Sequence, residues 1–106
     1  MEMGEGRMEM TVRLWRSGSN RQFERYINRL LKLAASHDGR VERRAAEVEG
    51  GPSRPDAVLV LSFPDTAAVE AYLTDPRRDD LEELAAKAVK RSLIHRRSPA
   101  RHHRAT

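Results

Sequence analysis

Residues Ala57 to Val89 read AVLVLSFPDTAAVEAYLTDPRRDDLEELAAKAV, and this run decides the fold. Its first seven residues are apolar on both alternating faces. Val58, Val60 and Ser62 fall on one, and Ala57, Leu59, Leu61 and Phe63 on the other. A short two-faced apolar run bounded by turn residues is a central strand covered on both sides. Pro64-Asp65-Thr66 ends it. Asp65 is placed to cap a helix, because its carboxylate can accept from the unpaired N–H groups of the first turn. Val69, Tyr72 and Leu73 form the inner side of that helix. Asp75-Pro76 interrupts it, since the residue before a proline avoids the α region. The helix resumes near Arg78 or Asp79, buries Leu81, Leu84, Ala85, Ala88 and Val89, and runs to about Lys90. Arg91 to Arg97 then reads as a short last strand.

Upstream, Met8 to Arg16 alternates: Met8, Met10, Val12 and Leu14 point one way, Glu9, Thr11, Arg13 and Trp15 the other. That is the period of a strand. Ser17-Gly18-Ser19-Asn20 breaks it, and Ser19 with Gln22 matches a capping box. Phe23, Ile27, Leu30, Leu31 and Ala34 then form one stripe of a helix from about Asn20 to His37, with Gly39 where a C-terminal capping glycine is wanted. Arg40 to Glu49 is polar and extended in character, as an edge strand would be. The cluster Gly50-Gly51-Pro52-Ser53-Arg54-Pro55 is a turn. The order is β-α-β-β-α-β, and right-handed crossovers give a ferredoxin-like α+β fold. It is a four-stranded antiparallel sheet with the first and third strands central and both helices on one face. The expected domain spans residues 8–97, with flexible ends at 1–7 and 98–106.

The totals bound the function. A chain of 106 residues has room for one core. There is no cysteine, hence no disulfide and no thiolate metal site, which fits a cytoplasmic protein. No apolar run approaches the roughly 20 residues that span a bilayer, so no membrane partner is expected. MEMGEGRMEM at the start is acidic and does not read as a signal peptide. The net charge of +4 comes from the end of the chain: Arg91, Arg96, Arg97, Arg101 and Arg104 follow Lys90 with no acidic residue among them. Removing those five leaves −1 for residues 1–90. A near-neutral domain with a basic appendage does not read as a nucleic-acid binder. Its third strand also lacks the stacking aromatics of an RNA-recognition sheet. Arginine outnumbers lysine heavily, as in GC-rich bacterial genomes.

Both helices cover one sheet face, so the apolar residues of the other face need cover. An exposed apolar face of this kind marks an association surface, and a two-fold dimer packed sheet on sheet would bury it. Arg13 and Trp15 would line the space between sheet and partner.

The order of elements, with Phe63 ending the strand, Asp65 as cap, Tyr72 on the helix, the Asp75-Pro76 break and the second piece from Leu81 to Val89, resembles the dimeric α+β barrel superfamily. This group includes small antibiotic-biosynthesis monooxygenases and EthD-like proteins, and the resemblance spans roughly Met8 to Arg97. It implies a homodimer acting on a small organic molecule in bacterial, often secondary, metabolism. The reaction would be a cofactor-independent monooxygenation, a cyclisation or an isomerisation. The alternative is a non-catalytic ligand-binding or regulatory dimer. The Asn–Trp arrangement of the monooxygenase branch has no counterpart at matching positions here.

Such chemistry needs a donor to hold a developing enolate or phenolate and an apolar wall to exclude water. The catalytic candidates are His95, Tyr72 and Trp15. His95 has the titration range of a proton acceptor. Arg13 is the candidate anion anchor, and Ser62 and Phe63 complete the expected substrate contacts. For each there is a plainer account: interface packing for Trp15, core packing for Tyr72, an exposed edge for His95. Tyr26 reads as half-exposed packing and Asn28 as solvated surface. His37 sits at a helix C-terminus, where the dipole favours it. Asp79-Asp80 and Glu82-Glu83 suit an early helical turn. No cofactor and no metal is expected: the adjacent His102 and His103 have no carboxylate beside them.

Overall fold

The computed structural model describes residues 7–46 and 53–97. Within them the chain forms β1 (Met8–Arg16), α1 (Asn20–Ala35), β2 (Arg40–Ala45), β3 (Ala57–Phe63), α2 (Thr66–Leu73), α3 (Arg78–Ala88) and β4 (Val89–Arg97). Half of the expected turn at 50–55 and nearly all of both expected flexible ends lie outside the described residues.

The sheet order is β2-β3-β1-β4 with every neighbouring pair antiparallel, which is the ferredoxin-like arrangement. The two strands richest in apolar residues are the central ones. Their register sets Met10 opposite Leu61, Val12 opposite Leu59 and Leu14 opposite Ala57. Paired residues share a face, so these six side chains form one continuous apolar surface. Phe23 and Ile27 of α1, Val69 and Tyr72 of α2, and Leu81 and Ala88 of α3 close over it as one buried cluster. Each large apolar side chain so buried contributes about 1.5–3 kcal/mol.

Local chemistry fixes the helix ends. Ser19 Oγ accepts from the Gln22 N–H at 3.2 Å, and Asp65 Oδ1 from the Ala68 N–H at 2.8 Å. Helix α1 ends at Ala35, two residues before the expected end at about His37, and the left-handed residue that turns the chain is Asp38 (φ 64°), not Gly39. Gly39 is required for a different reason. A Cβ there would stand 2.7 Å from the Phe63 ring and 2.8 Å from the Ala34 carbonyl oxygen. Both are fixed parts of the core.

Helix α2 stops at the Asp75-Pro76 break, which is built around one carboxylate. Asp75 Oδ1 accepts from the Arg77 backbone N–H at 2.8 Å, and Oδ2 meets the Arg77 guanidinium at 2.8 Å and His37 Nε2 at 2.7 Å. Arg77, through its side chain and then its backbone N–H, together with His37, holds the Asp75 carboxyl well below the usual carboxylate range. His37 is therefore held by a side chain 38 residues away rather than serving only the dipole of α1.

The opposite face of the sheet is not covered by any described element. It carries Glu9, Thr11, Arg13 and Trp15 of β1, Val58, Val60 and Ser62 of β3, and Leu93 and His95 of β4. Val58 and Val60 are half-buried within the sheet, and Leu93 is 45% exposed.

Candidate functional site

The residues expected to act together are divided by the sheet. Trp15, Arg13, Ser62 and His95 lie on the open face, while Tyr72 and Phe63 lie under the helices. Strand alternation makes this unavoidable, because Ser62 and Phe63 are successive residues and must point to opposite sides. The six do not form one site.

On the open face, Trp15 and Ser62 already have partners within the chain. Trp15 is 8% exposed; its indole N–H donates to the Ser53 carbonyl oxygen at 2.9 Å, and the Arg91 guanidinium lies 4.6 Å from the ring centroid. Ser62 is buried in a cross-strand network. Its hydroxyl accepts from Arg7 Nε at 3.1 Å and donates to Glu42 Oε2 at 2.5 Å, and its carbonyl accepts from Arg7 Nη2 at 2.8 Å. That hydroxyl is engaged in holding β2 to β3. Arg13 and His95 are exposed, and His95 stands opposite Thr11. Phe63 is fully buried and packs on Tyr72 at 5.3 Å between centroids, so it serves the core.

Tyr72 leads to a different place. It is 1% exposed, with its ring held by Phe63, by the edge of His37 at 6.2 Å, and by the Arg78 guanidinium 4.8 Å above it. It lines a cavity of about 130 Å3 between the helices and the β1–β4 side of the sheet. Met10, Val12, Leu30 and Ile94 give it apolar walls; Tyr26, Tyr72, Arg78, Glu82 and Ser92 bring polar atoms. Larger depressions exist on the surface, one of about 590 Å3 near Arg16, Arg44 and Asp56, but they are open grooves lined by charged side chains. The enclosed space is the one where a ligand would leave water.

Two polar atoms of its lining residues are buried without a hydrogen-bond partner among the described residues: Tyr72 Oη and Arg78 Nη1. A buried donor with nothing to bond costs free energy, more so on a charged group, so such a pair marks a place built for something else. The Arg78 guanidinium lies over the Tyr72 ring, 4.8 Å from its centroid. Burial pushes the Tyr72 hydroxyl above its ordinary range, and Arg78 opposes that shift. Burial first, and then Tyr72 beside it, push Tyr26 up to about 12, with Glu82 adding to the rise and Arg78 opposing it. Both phenols stay protonated at neutral pH and can act as donors.

Tyr26 is buried, not half-exposed. Glu82 is part of the cavity wall, while Asp79, Asp80 and Glu83 on the same helix are exposed and take no part in it. Arg78 escapes a sequence reading because it sits in a run of charges just after a proline break. The available signal is its helical spacing: Arg78, Glu82, Ala85 and Val89 lie at i, i+4, i+7 and i+11, one stripe beside the buried one.

No curated relative matches the sequence. Solved structures do match the fold. A protein of unknown function from Rhodopseudomonas palustris is 18% identical, covering 92% of this chain and 85% of that one, with a TM-score of 0.70. SnoaB, a cofactor-independent oxygenase from Streptomyces nogalater, is 16% identical over 95% of this chain and 96% of that one, with a TM-score of 0.68. A dimeric ferredoxin-like protein of unknown function from Thermobifida fusca is 16% identical over 87% and 90%, with a TM-score of 0.64. These likenesses show the ferredoxin-like fold that the order of elements predicts. Residues 12–95 match the family described as a domain of unknown function, DUF1330, and the chain belongs to that family.

Proposed function

We propose that the protein is a homodimeric enzyme of the dimeric α+β barrel type that acts on a small organic molecule in the cavity between helices and sheet. The observation that carries this reading is the pair of unpartnered donors, Tyr72 Oη and Arg78 Nη1, on two residues that line one partly enclosed space with apolar walls. Such a space strengthens every charge interaction inside it. The protonated Tyr72 hydroxyl is suited to donate to a substrate oxygen as negative charge develops there, with the Arg78 cation beside it. The Glu82 carboxylate is the acceptor in the wall for a proton from the carbon next to that oxygen. The resulting enolate can be reprotonated elsewhere, which is an isomerisation, or react with O2, which is a cofactor-independent oxygenation. The dimer would close across the open sheet face, as several relatives of this fold are dimeric. Among the described residues no helix is long and apolar enough to cross a membrane, and with no cysteine in the chain we place the protein in the cytoplasm.

A second reading is a ligand-binding dimer without turnover. Its support is the division of the open face from the cavity, which leaves His95 on the other side of the sheet. Proton exchange separates the two. The enzyme should speed the exchange of the C–H protons of cyclohexanone or pyruvate with D2O, followed by NMR. Tyr72→Phe should slow it about a hundredfold, and Glu82→Gln should abolish it. Binding of either compound with no accelerated exchange would leave only the second reading.

A further inference from the structure

We propose that the cavity is a carboxylate site, and that its ligand is a small organic acid with an apolar body. The inference rests on the cavity being the ligand chamber, and adds what the ligand must carry.

The two orphaned atoms decide the charge. Arg78 Nη1 can only donate, and the Tyr72 hydroxyl is a protonated phenol that arginine alone does not satisfy. The oxygen of an amide or alcohol could accept from these donors but leaves the guanidinium without a counter-charge. A carboxylate meets both: one oxygen on Arg78 Nη1, and on Tyr72 either the second oxygen or an oxygen on the adjoining carbon. Hydrogen bonds between ionised partners are shorter and roughly twice as strong as neutral ones. The stacking of the guanidinium on the Tyr72 ring, 4.8 Å to the centroid, fixes its plane before any ligand arrives. The ring is in turn held by Phe63 and by the His37 edge, and His37 by Asp75. The anchor is therefore preorganised from three elements.

The remaining wall decides the body. Met10, Val12, Leu30 and Ile94 offer nothing to hydrogen-bond, so the rest of the ligand is apolar. The space of about 130 Å3 is close to the roughly 150 Å3 cavity that holds one benzene ring. A ligand of about six to nine heavy atoms fits this scale. Glu82, the other charged residue of the wall, is exposed at its edge. Its negative charge opposes an anion, which gives the proposal a variant that should improve binding.

The test uses the full chain, with benzoate and its neutral isostere benzamide as probes, followed by two-dimensional NMR of the backbone amides. Benzoate should shift the signals of Arg78 to Glu82 and Ser92 to Ile94, and should bind about tenfold or more tightly than benzamide. Arg78→Met, which keeps the stem over the ring, should remove that preference. Tyr72→Phe should weaken benzoate about three- to tenfold with little effect on benzamide. Glu82→Gln should tighten benzoate. Equal binding of the two probes, unaltered by Arg78→Met, overturns the carboxylate assignment while leaving the cavity a ligand chamber. No shift at the cavity with either probe at about 10 mM, a range in which a nine-atom ligand of ordinary efficiency binds, overturns it as well. Benzoate binding as described alongside silent proton exchange keeps the carboxylate site and removes the catalytic reading.

Discussion

The side chain on which the site depends is Tyr72, and its two ends obey different rules. The ring is among the largest fully buried side chains and packs on Phe63. The hydroxyl is buried beside the cavity with no partner among the described residues. A residue chosen for stability alone would be phenylalanine, because an unpaired buried hydroxyl costs free energy that the ring does not need to bear. Tyr72→Phe should therefore leave the ligand-free protein as stable or raise its stability by up to about 1 kcal/mol. Urea unfolding of both proteins without ligand reads this directly. A loss of more than about 1 kcal/mol would mean the hydroxyl is bonded in the native state and would remove the ground for calling it a ligand contact. The ring's place on the inner stripe of α2 is legible in the sequence, since helical period alone puts it there. The orphaned hydroxyl is not, because it depends on Arg78 arriving from beyond a helix break. Ser62 shows the converse: a lone serine in an apolar strand reads as available for chemistry, but Arg7 and Glu42 engage it from other parts of the chain.

At the scale of elements, the join between α2 and α3 sets the angle at which Arg78 enters the cavity. Asp75 controls that join through Arg77 and His37, and also ties the C-terminal end of α1 to it. Its carboxyl is held far below the ordinary value in the folded chain, by Arg77 first and then by His37. The unfolded chain binds a proton there near the ordinary value of 3.8, and the native state does so only at lower pH. The stability from Asp75 is thus fully present above about pH 4 and is lost as pH falls through the folded value. Asp75→Asn should melt at a lower temperature than the parent protein at pH 7, and the gap should narrow as pH is lowered from about 4 towards 2. Melting curves followed by circular dichroism at pH 7, 4 and 3 test it; a gap independent of pH would show that the ionised carboxylate is not what holds the join. The break is legible from Asp-Pro alone, as are Asp65 as a cap and Ala57–Phe63 as a strand, because those signals are local. The His37 partner lies 38 residues away and leaves no mark on the sequence around His37. Asp38 taking the turn that Gly39 invites is a similar case: Gly39 is there to admit the Phe63 ring, a requirement set by the fold.

For the molecule as a whole, helices on one side and an uncovered sheet on the other make a lopsided object. Val60 sits near the middle of the uncovered face, between Thr11 on β1 and Arg43 on β2. A face carrying Val58, Val60 and Leu93 among Arg13 and Glu9 is suited to a two-fold partner, since each charge can meet its opposite across the axis while the apolar centre is removed from water. If the face pairs with itself, one substitution acts twice. Val60→Asp would bury two like charges close to the axis, each desolvated and unpaired, a cost of several kcal/mol that an interface of ordinary size does not absorb. Light scattering behind size exclusion should give the parent protein twice its 12.1 kDa chain mass at micromolar concentration. The Val60→Asp protein should run at the single-chain mass with its far-UV circular dichroism unchanged, because Val60 points away from the core that Leu59 and Leu61 build. The cavity opens on the other side of the sheet, so the monomeric variant should still bind benzoate if each chain carries a complete site. Loss of binding together with loss of the dimer would mean that the partner shapes the chamber through the sheet. A parent protein that is monomeric at this concentration would leave the open face without its partner.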